Sequence, residues 1–429
     1  MKKKFSISFF HVLLIVLIAG GVGYFIGTNQ ISASWRNFSP IVSIEHKNPP
    51  ANQNLDMNLF YQVLDRVNHD YYDKSKIDSK KILYGAISGM LQSLDDPFTS
   101  FFPPAQNTAF KTQLAGEFSG IGAELGMSPD NRIMVISPLD GSPAGKAGIK
   151  AGDLILGVDG KDTNGWTLGS AVDKIRGPKG TDVKLVILHK NAKETSNVTI
   201  TRDTIQVKSV TSWLKHFTCD KNGCNADESN NPNNPSIAYI RLSQFGDKTN
   251  DEWVKAVNDL YPKIQAEKNF KGVVLDLRNN PGGYLQDAVF IASEFIKDGV
   301  VVSQVDGNSD KLDMPVSRTG VLLNVPVAVL INGGSASASE IVSGALRDHK
   351  RAILVGEKSF GKGTIQQAVD VDGGASVHLS IGKWITPNGT WVHKVGLTPD
   401  VTVTFDENKT KQTPGYDNQM LRAIQELAK

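Results

Sequence analysis

Between Ile237 and Val355, short apolar runs alternate with helix-like stretches, and three of the runs end in glycine-containing turns. Residues 237–242, 272–277, 325–331 and 352–355 read as strands. Residues 251–265, 285–296 and 338–346 read as the helices between them. Parallel neighbours need a long crossover and a helix supplies one, so this alternation restricts the region to a mixed or parallel sheet covered by helices. The expected fold class is multi-domain α/β.

The flanking regions divide the chain further. Residues 5–27 carry no charge apart from His11 and come after Lys2, Lys3 and Lys4. About 20 apolar residues span a bilayer, and a cleaved signal usually has an apolar run of only about 7–15. An uncleaved anchor over 1–30 is expected, with cleavage near Ser32-Ala33-Ser34 as the alternative. The lysines then keep the N-terminus inside and place the rest of the chain outside the cytoplasm. A polar linker comes next at 31–54, with Pro40, Pro49 and Pro50, and then a helical region at 55–112. Its second helix starts at Asp78-Ser79 and stops at Asp95-Asp96-Pro97. Strand-like runs separated by glycine turns make a β-rich module of 113–204. The α/β core spans 205–410, with an asparagine-rich flexible insertion at 218–236, and a helix lies within 411–429.

Net charge is +2 and no basic stripe is interleaved with aromatics, so nucleic acid is not an expected partner. Cys219 and Cys224 flank a turn-like sequence and are a disulfide candidate in an oxidising compartment. Only His216 lies close to them, so no metal site is expected there.

The run 325–331 leads into Asn332-Gly333-Gly334-Ser335-Ala336-Ser337-Ala338-Ser339-Glu340. Ser337 falls at or near a helix N-terminus, where unpaired N–H groups can hold an oxyanion. Serines also cap helices there, so the turn alone leaves both readings open. Lys362 stands between Gly361 and Gly363. The surrounding G-x-x-x-x-G-K is not a nucleotide loop, because Gly363 replaces the Mg²⁺-binding hydroxyl and a β-like run comes after it. A desolvated lysine favours its neutral form and can act as a general base. Gln366 stands four residues on and can orient such an amine. A third turn, Asp276-Leu277-Arg278-Asn279-Asn280-Pro281-Gly282-Gly283, can supply a further oxyanion donor.

These blocks, in this order, together with Thr386-Pro387-Asn388-Gly389 and Gly396-Leu397-Thr398-Pro399-Asp400, resemble the carboxyl-terminal processing (tail-specific) proteases over about 55–405. The resemblance implies a Ser-Lys serine endopeptidase with a crotonase-like β/α core and no cofactor. By position in the motifs it makes Ser337 the nucleophile, Lys362 the general base and Gln366 its orienting partner. It assigns the oxyanion donors to Ala338 and Gly283, with Gly282 as the alternative. Glu340 and Asp348 match acidic positions of the motif, as supporting groups.

Phe118-Ser119-Gly120-Ile121-Gly122-Ala123 resembles the carboxylate-binding loop of a PDZ domain, and Ser142 to Ile149 and Gly152 to Leu156 match the same pattern. In such a loop successive N–H groups cradle a peptide's free C-terminus. The binding residues would be Ser119, Gly120, Ile121, Gly122 and Ala123. Arg176 comes just after a helix and is a gating candidate that can face the core and link peptide binding to Lys362 and Gln366, with a plain surface arginine as the alternative. The implied partners are polypeptides with free apolar C-termini, and the implied location is the outer side of a bacterial inner membrane. A regulatory partner protein and a homo-oligomer stay open. The rival readings are an inactive tether for C-terminal tails and an acyl enzyme acting on thioesters.

Overall fold

The computed structural model describes residues 31–36, 39–44, 56–128, 130–139, 141–190, 192–220, 223–226, 231–413 and 416–429. The expected anchor at 1–30 lies outside them. Among the described residues no helix is long and apolar enough to cross a membrane.

The chain divides into two units, Met1–Leu83 and Tyr84–Lys429. In the first, Ile31–Arg36 pairs antiparallel with Ser39–Ile44, so the expected linker contains a hairpin. β-Branched Ile31, Ile41, Val42 and Ile44 favour extended backbone there. Met57–Asp70 is a helix whose Asp56 cap accepts the Asn58 N–H at 2.9 Å. Asp78 caps the helix Ser79–Gln92 in the same way, accepting from Lys80 and Lys81.

The second unit is built on a seven-stranded sheet. Its order is Gly223–Ala226, Val210–Asp220, Ser236–Leu242, Phe270–Asp276, Val327–Ile331, Ala352–Gly356 and Val401–Thr402. The first two pairings are antiparallel and the other four parallel. Alternate residues of one strand serve two cores, because successive side chains point to opposite faces. Val327, Val329 and Ile331 pack with Trp253, Val342 and Leu346 on one face. Ala328 and Leu330 pack with Ala423 and Ile424 of the helix Asn418–Ala428 on the other. This double burial is why the strands read as unbroken apolar runs rather than alternating ones.

A second, antiparallel sheet joins Lys311–Pro315, Val300–Asp306, Ala375–Ile385 and Thr364–Val371, with Ser100–Phe102 also paired to Ala375–Ile385. The expected flexible insertion is corrected at its start. The strand Val210–Asp220 runs into it and returns at Gly223–Ala226, and Cys219 is disulfide-bonded to Cys224. Phe217 and Cys224 are buried, which holds this hairpin onto the core.

The β-rich module has its own core around Val135, Ile155, Leu185 and Ile187, all essentially inaccessible. Its sheet runs Ser196–Thr201, Asp182–Leu188, Leu154–Val158, Ile133–Pro138 and Ala123–Met127. The first of the expected strands begins two residues late, because Ile121 and Gly122 belong to a loop. That loop leads out of a ribbon, Glu117–Gly120 paired with Asp203–Gln206, through which the chain enters and leaves the module.

Candidate active site

Four serines lie along the turn after Val327–Ile331 and the next helix, Ala338–Asp348, and three are consumed by structure. Ser335 Oγ donates to Leu277 O at 2.8 Å, Ser339 Oγ to Asn280 O at 2.9 Å and Ser343 Oγ to Ser339 O at 2.7 Å. All three are fully buried. Ser337 is half-buried, and its hydroxyl donates to no group among the described residues. Its backbone is at φ 54°, ψ −115°, a sparsely populated conformation for a residue with a Cβ. Such a turn lifts the hydroxyl out of the sheet end, as in a nucleophile elbow.

The neighbouring turn holds this conformation. Asn280 is completely buried and acts as its hub. Its side chain donates to Leu242 O at 2.8 Å, and its carbonyl accepts the Ala336 N–H at 3.0 Å. Asn279 and Asn332 exchange two hydrogen bonds across the two turns, at 2.8 and 2.9 Å. Gly282 lies so close that a Cβ on it would sit 2.7 Å from Ala336 O and 2.8 Å from Ser337 Cβ. Only glycine fits there.

The N–H groups of the two turns divide clearly. Ala338 is the first residue of its helix, and its N–H has no acceptor among the described residues. Gly283 bridges Phe245 in parallel fashion, so the bonds to Phe245 come from Gly282 O and Tyr284 N. The Gly283 N–H therefore points the other way and is also unengaged. The Gly282 N–H is bound to Asn280 Oδ1 at 2.9 Å. This removes the alternative donor.

Glu340 ties the serine turn to the lysine loop. It is fully buried, and its Oε2 accepts the Ser337 N–H and the Lys362 N–H, both at 2.9 Å. Its Oε1 accepts the Gly361 N–H at 2.7 Å and the Ser359 hydroxyl at 2.6 Å. One carboxylate thus fixes both backbones, with every lone-pair direction used, as a buried charge requires. Asp348 is different. It lies at the far end of the same helix, about 12 Å from Glu340 at 1.5 Å per residue, and accepts the Asn388 N–H at 3.0 Å.

The Lys362 carbonyl accepts from Trp384 Nε1 at 2.9 Å, and Gly363 O from Trp391 Nε1 at 2.8 Å. A Cβ on Gly363 would sit 2.7 Å from His393 N, so glycine lets the 391–396 segment close on the loop. The amine itself lies 5.2 Å from the Phe98 ring centroid and makes no hydrogen bond or ion pair among the described residues. Burial pushes it below its ordinary lysine value, opposed by the charges of Asp96 and Glu340. Gln366 makes no hydrogen bond to this amine among the described residues. Its Nε2 donates to Thr364 Oγ1 at 2.8 Å and Ser380 Oγ at 3.1 Å. Asn280, Asp96 and Phe98 were not singled out from sequence as site residues; a signal for Asp96 was present in the Asp95-Asp96-Pro97 helix stop.

In the β-rich module, the N–H groups of Ile121 and Gly122 engage no backbone acceptor among the described residues, while their carbonyls accept from Ala144 and Leu139. Two adjacent N–H groups are thus free to bind a carboxylate. Ser119 and Gly120 belong to the entry ribbon and Ala123 begins the first sheet strand. Arg176 does not reach toward the lysine. Its guanidinium lies 5.3 Å from the Phe118 ring centroid, beside the same loop. Among the described residues no cluster of three or more His, Cys, Asp or Glu could hold a metal.

Residues 236–403 match the family model of peptidase family S41, residues 111–188 that of the PDZ domain, and residues 17–104 that of the activating protease CtpB N-terminal domain. The carboxy-terminal-processing protease of Bartonella bacilliformis is 38% identical over 359 residues, 83% of this chain and 77% of that protein. The carboxy-terminal processing protease CtpA of Bacillus subtilis is 34% identical over 401 residues, 94% of this chain and 78% of that one. A solved structure of an S41 protease from Bacteroides fragilis superposes with a TM-score of 0.56, covering 89% of this chain and 99% of that one. At 16% identity it bears on the fold alone.

Proposed function

Because the chain belongs to the carboxy-terminal processing proteases of peptidase family S41, serine-type peptidases with a PDZ domain, we propose that it cleaves by a Ser337–Lys362 acyl-enzyme mechanism. The observation that carries this reading is the Glu340 carboxylate, which accepts the N–H groups of both Ser337 and Lys362. It couples a serine whose proton is uncommitted to a lysine whose amine burial shifts toward its neutral form.

In this mechanism neutral Lys362 takes the Ser337 proton as Oγ bonds to the scissile carbonyl carbon. The oxyanion is held by the N–H groups of Ala338 and Gly283, which have no other acceptor among the described residues. The C–N bond then breaks, and the Lys362 ammonium returns its proton to the leaving amine. Water, deprotonated by the same amine, attacks the ester carbon, and as the C–Oγ bond breaks the Lys362 ammonium returns the proton to Ser337 Oγ. The Lys362 amine rests on Phe98 rather than on Ser337, and substrate binding draws the two together, since catalytic hydrogen bonds often tighten only in the complex. Gln366 acts through Ser380, not by touching the amine.

The substrate side rests on the loop at Ile121 and Gly122, which would bind the free C-terminal carboxylate of an extracytoplasmic polypeptide while its backbone lies along Ala123–Met127. Arg176 belongs to that end of the path. The apolar run 5–27, preceded by three lysines, supports an uncleaved anchor in a bacterial cytoplasmic membrane with the protease outside. In this reading the protease core is crotonase-like.

The test is cleavage of an unstructured polypeptide with an apolar C-terminus, offered free or amidated, by the wild type, Ser337→Ala and Lys362→Ala. Cleavage by the wild type alone, weakened by amidation, is the expected result. Activity should also fall in acid as Lys362 protonates; a rate flat from about pH 5 to 9 would count against lysine as the base. Binding of the free tail without cleavage would favour the tether.

A further inference from the structure

The turn that closes the helix Ser79–Gln92 lies on the lysine. Asp96 Oδ1 accepts the Phe98 N–H at 3.0 Å, and Asp96 Oδ2 accepts the Thr99 hydroxyl at 2.7 Å. Thr99 is buried, and its Oγ1 accepts the Ser380 N–H at 3.1 Å, which fastens the turn to the strand Ala375–Ile385. Ser380 Oγ in turn accepts from Gln366. The result aims Phe98 at the site. Its ring stands edge-on to Phe360 and to His393, and His393 is stacked on Trp391 at 5.0 Å. Lys362 Nζ lies over the remaining face.

The charged and titratable groups around this amine come from four elements. Asp96 comes from the turn, Glu340 from the helix Ala338–Asp348, His378 from the strand Ala375–Ile385 and His393 from the 391–396 segment. Glu340 is saturated by three N–H groups and one hydroxyl. Burial and the Lys362 charge push His378 below its ordinary value, against the charge of Asp370. Partial burial works to raise the Asp96 carboxyl, but Ser380, Thr99, the Phe98 N–H and His393 together hold it below its ordinary value. Asp96 is therefore an anion at neutral pH, and of the two carboxylates it acts more strongly on Lys362.

Resting on the reading of Lys362 as the base, we propose that Asp96 is a positioning residue for this reaction: its carboxylate and the Phe98 ring it aims stabilise the ammonium that forms when Lys362 takes the Ser337 proton. Gln366 contributes by holding Ser380, one step further out. The arrangement assigns to Asp96 the part that the carboxylate plays behind histidine in a Ser-His-Asp triad: it stabilises the cation without accepting the proton. A ring face adds attraction for a cation when water is excluded.

The test uses Asp96→Asn and Asp96→Glu in the full chain. Removing the anion destabilises the ammonium, so the acidic limb of kcat/KM should move to lower pH while plateau kcat falls about tenfold. Asp96→Glu should return both toward wild type. The lysine is also observed directly, by NMR titration of ¹³C-labelled lysines in the Ser337→Ala background, with Lys362 assigned by Lys362→Arg. Its midpoint should fall with Asp96→Asn. Melting curves establish that each variant is folded, with Asp96→Ser in place of Asn if needed. A folded variant with an unmoved limb and an unmoved Lys362 titration overturns the proposal. An equal shift from Gln366→Ala would also overturn it. Wild-type activity in Lys362→Ala would instead sink the underlying reading, because the base would then lie elsewhere.

Discussion

Ser337 and Lys362 sit in one site but are held by opposite means. Around Ser337 the neighbouring serines and Asn280 are buried and bonded, and Gly282 is pressed against the strained turn. Lys362 has an equally fixed backbone, through Glu340 and Trp384, but its amine rests on a ring and donates to nothing among the described residues. On the proposed Ser-Lys mechanism, the contrast matches the task of each group. A nucleophile gains from a rigid position, because misplacement by about 1 Å can cost 10²-fold. An amine that must lose and regain a proton would be poorly served by fixed acceptors, which favour its charged form.

The largest effect should come from removing the rigid partner. Ser337→Ala is expected to lower kcat by about 10⁴-fold or more while the melting temperature stays put, as cleavage assays and thermal melts would show. A melting shift comparable to that of a core mutation would mean that the serine is structural and the contrast false. Next comes the link between the two sides. Glu340→Gln places an amide N–H₂ among three N–H donors and a hydroxyl, and should cost roughly 3 kcal/mol of stability. Activity should fall about 10²-fold with little change in KM, read from denaturant unfolding and steady-state kinetics. Stability lost without activity would show that the two backbones need no common anchor.

Gly282→Ala sharpens the serine side. With φ at +97° and a Cβ contact of 2.7 Å to Ala336 O, it should displace the turn and lower kcat about tenfold or more. The same change at Gly333, whose Cβ would meet nothing within 4 Å, is the control. The smallest effect on catalysis is expected beyond the Gly283 turn, at Asp287. Burial raises its carboxyl to about 6, helped by the charge of Asp247, against a hydrogen bond from Asn250. A raised folded-state value means that the protonated form is the better folded one. Stability is therefore fullest below about pH 4 and is lost as pH rises through about 6. Asp287→Asn should be more stable than wild type by ~2 kcal/mol at pH 8 and equal to it near pH 4, with activity little changed. Melts at the two pH values check this, and a difference independent of pH would refute it.

The parallel half of the core was legible because its strands are buried on both faces. Val273 to Leu275 and Val327 to Ile331 leave an apolar run that no other arrangement explains as simply. The antiparallel sheet was largely invisible. Val300–Asp306 and Lys311–Pro315 mix charged and apolar residues, and Ser100–Phe102 is only three residues long, paired to a strand far along the chain. Turn chemistry was readable at both site turns, since a run of serines or a Pro-Gly-Gly admits few conformations. Which way a long side chain points was not. Gln366 and Arg176 were placed by sequence spacing toward the lysine, yet Ser380 and Phe118 offered nearer partners.

The sequence by itself determined the α/β class, the separate β-rich module, the three glycine turns and the residue types that meet in them. These depend on local propensity and on patterns of burial that each segment carries with it. Only the tertiary structure decided that Glu340 binds both Ser337 and Lys362, that the Ala336 N–H bonds the Asn280 carbonyl, and that Gln366 bonds Ser380. The deciding contacts join segments far apart in the chain. Their partners are chosen by how the two sheets bring those strand ends together, and no single segment encodes that.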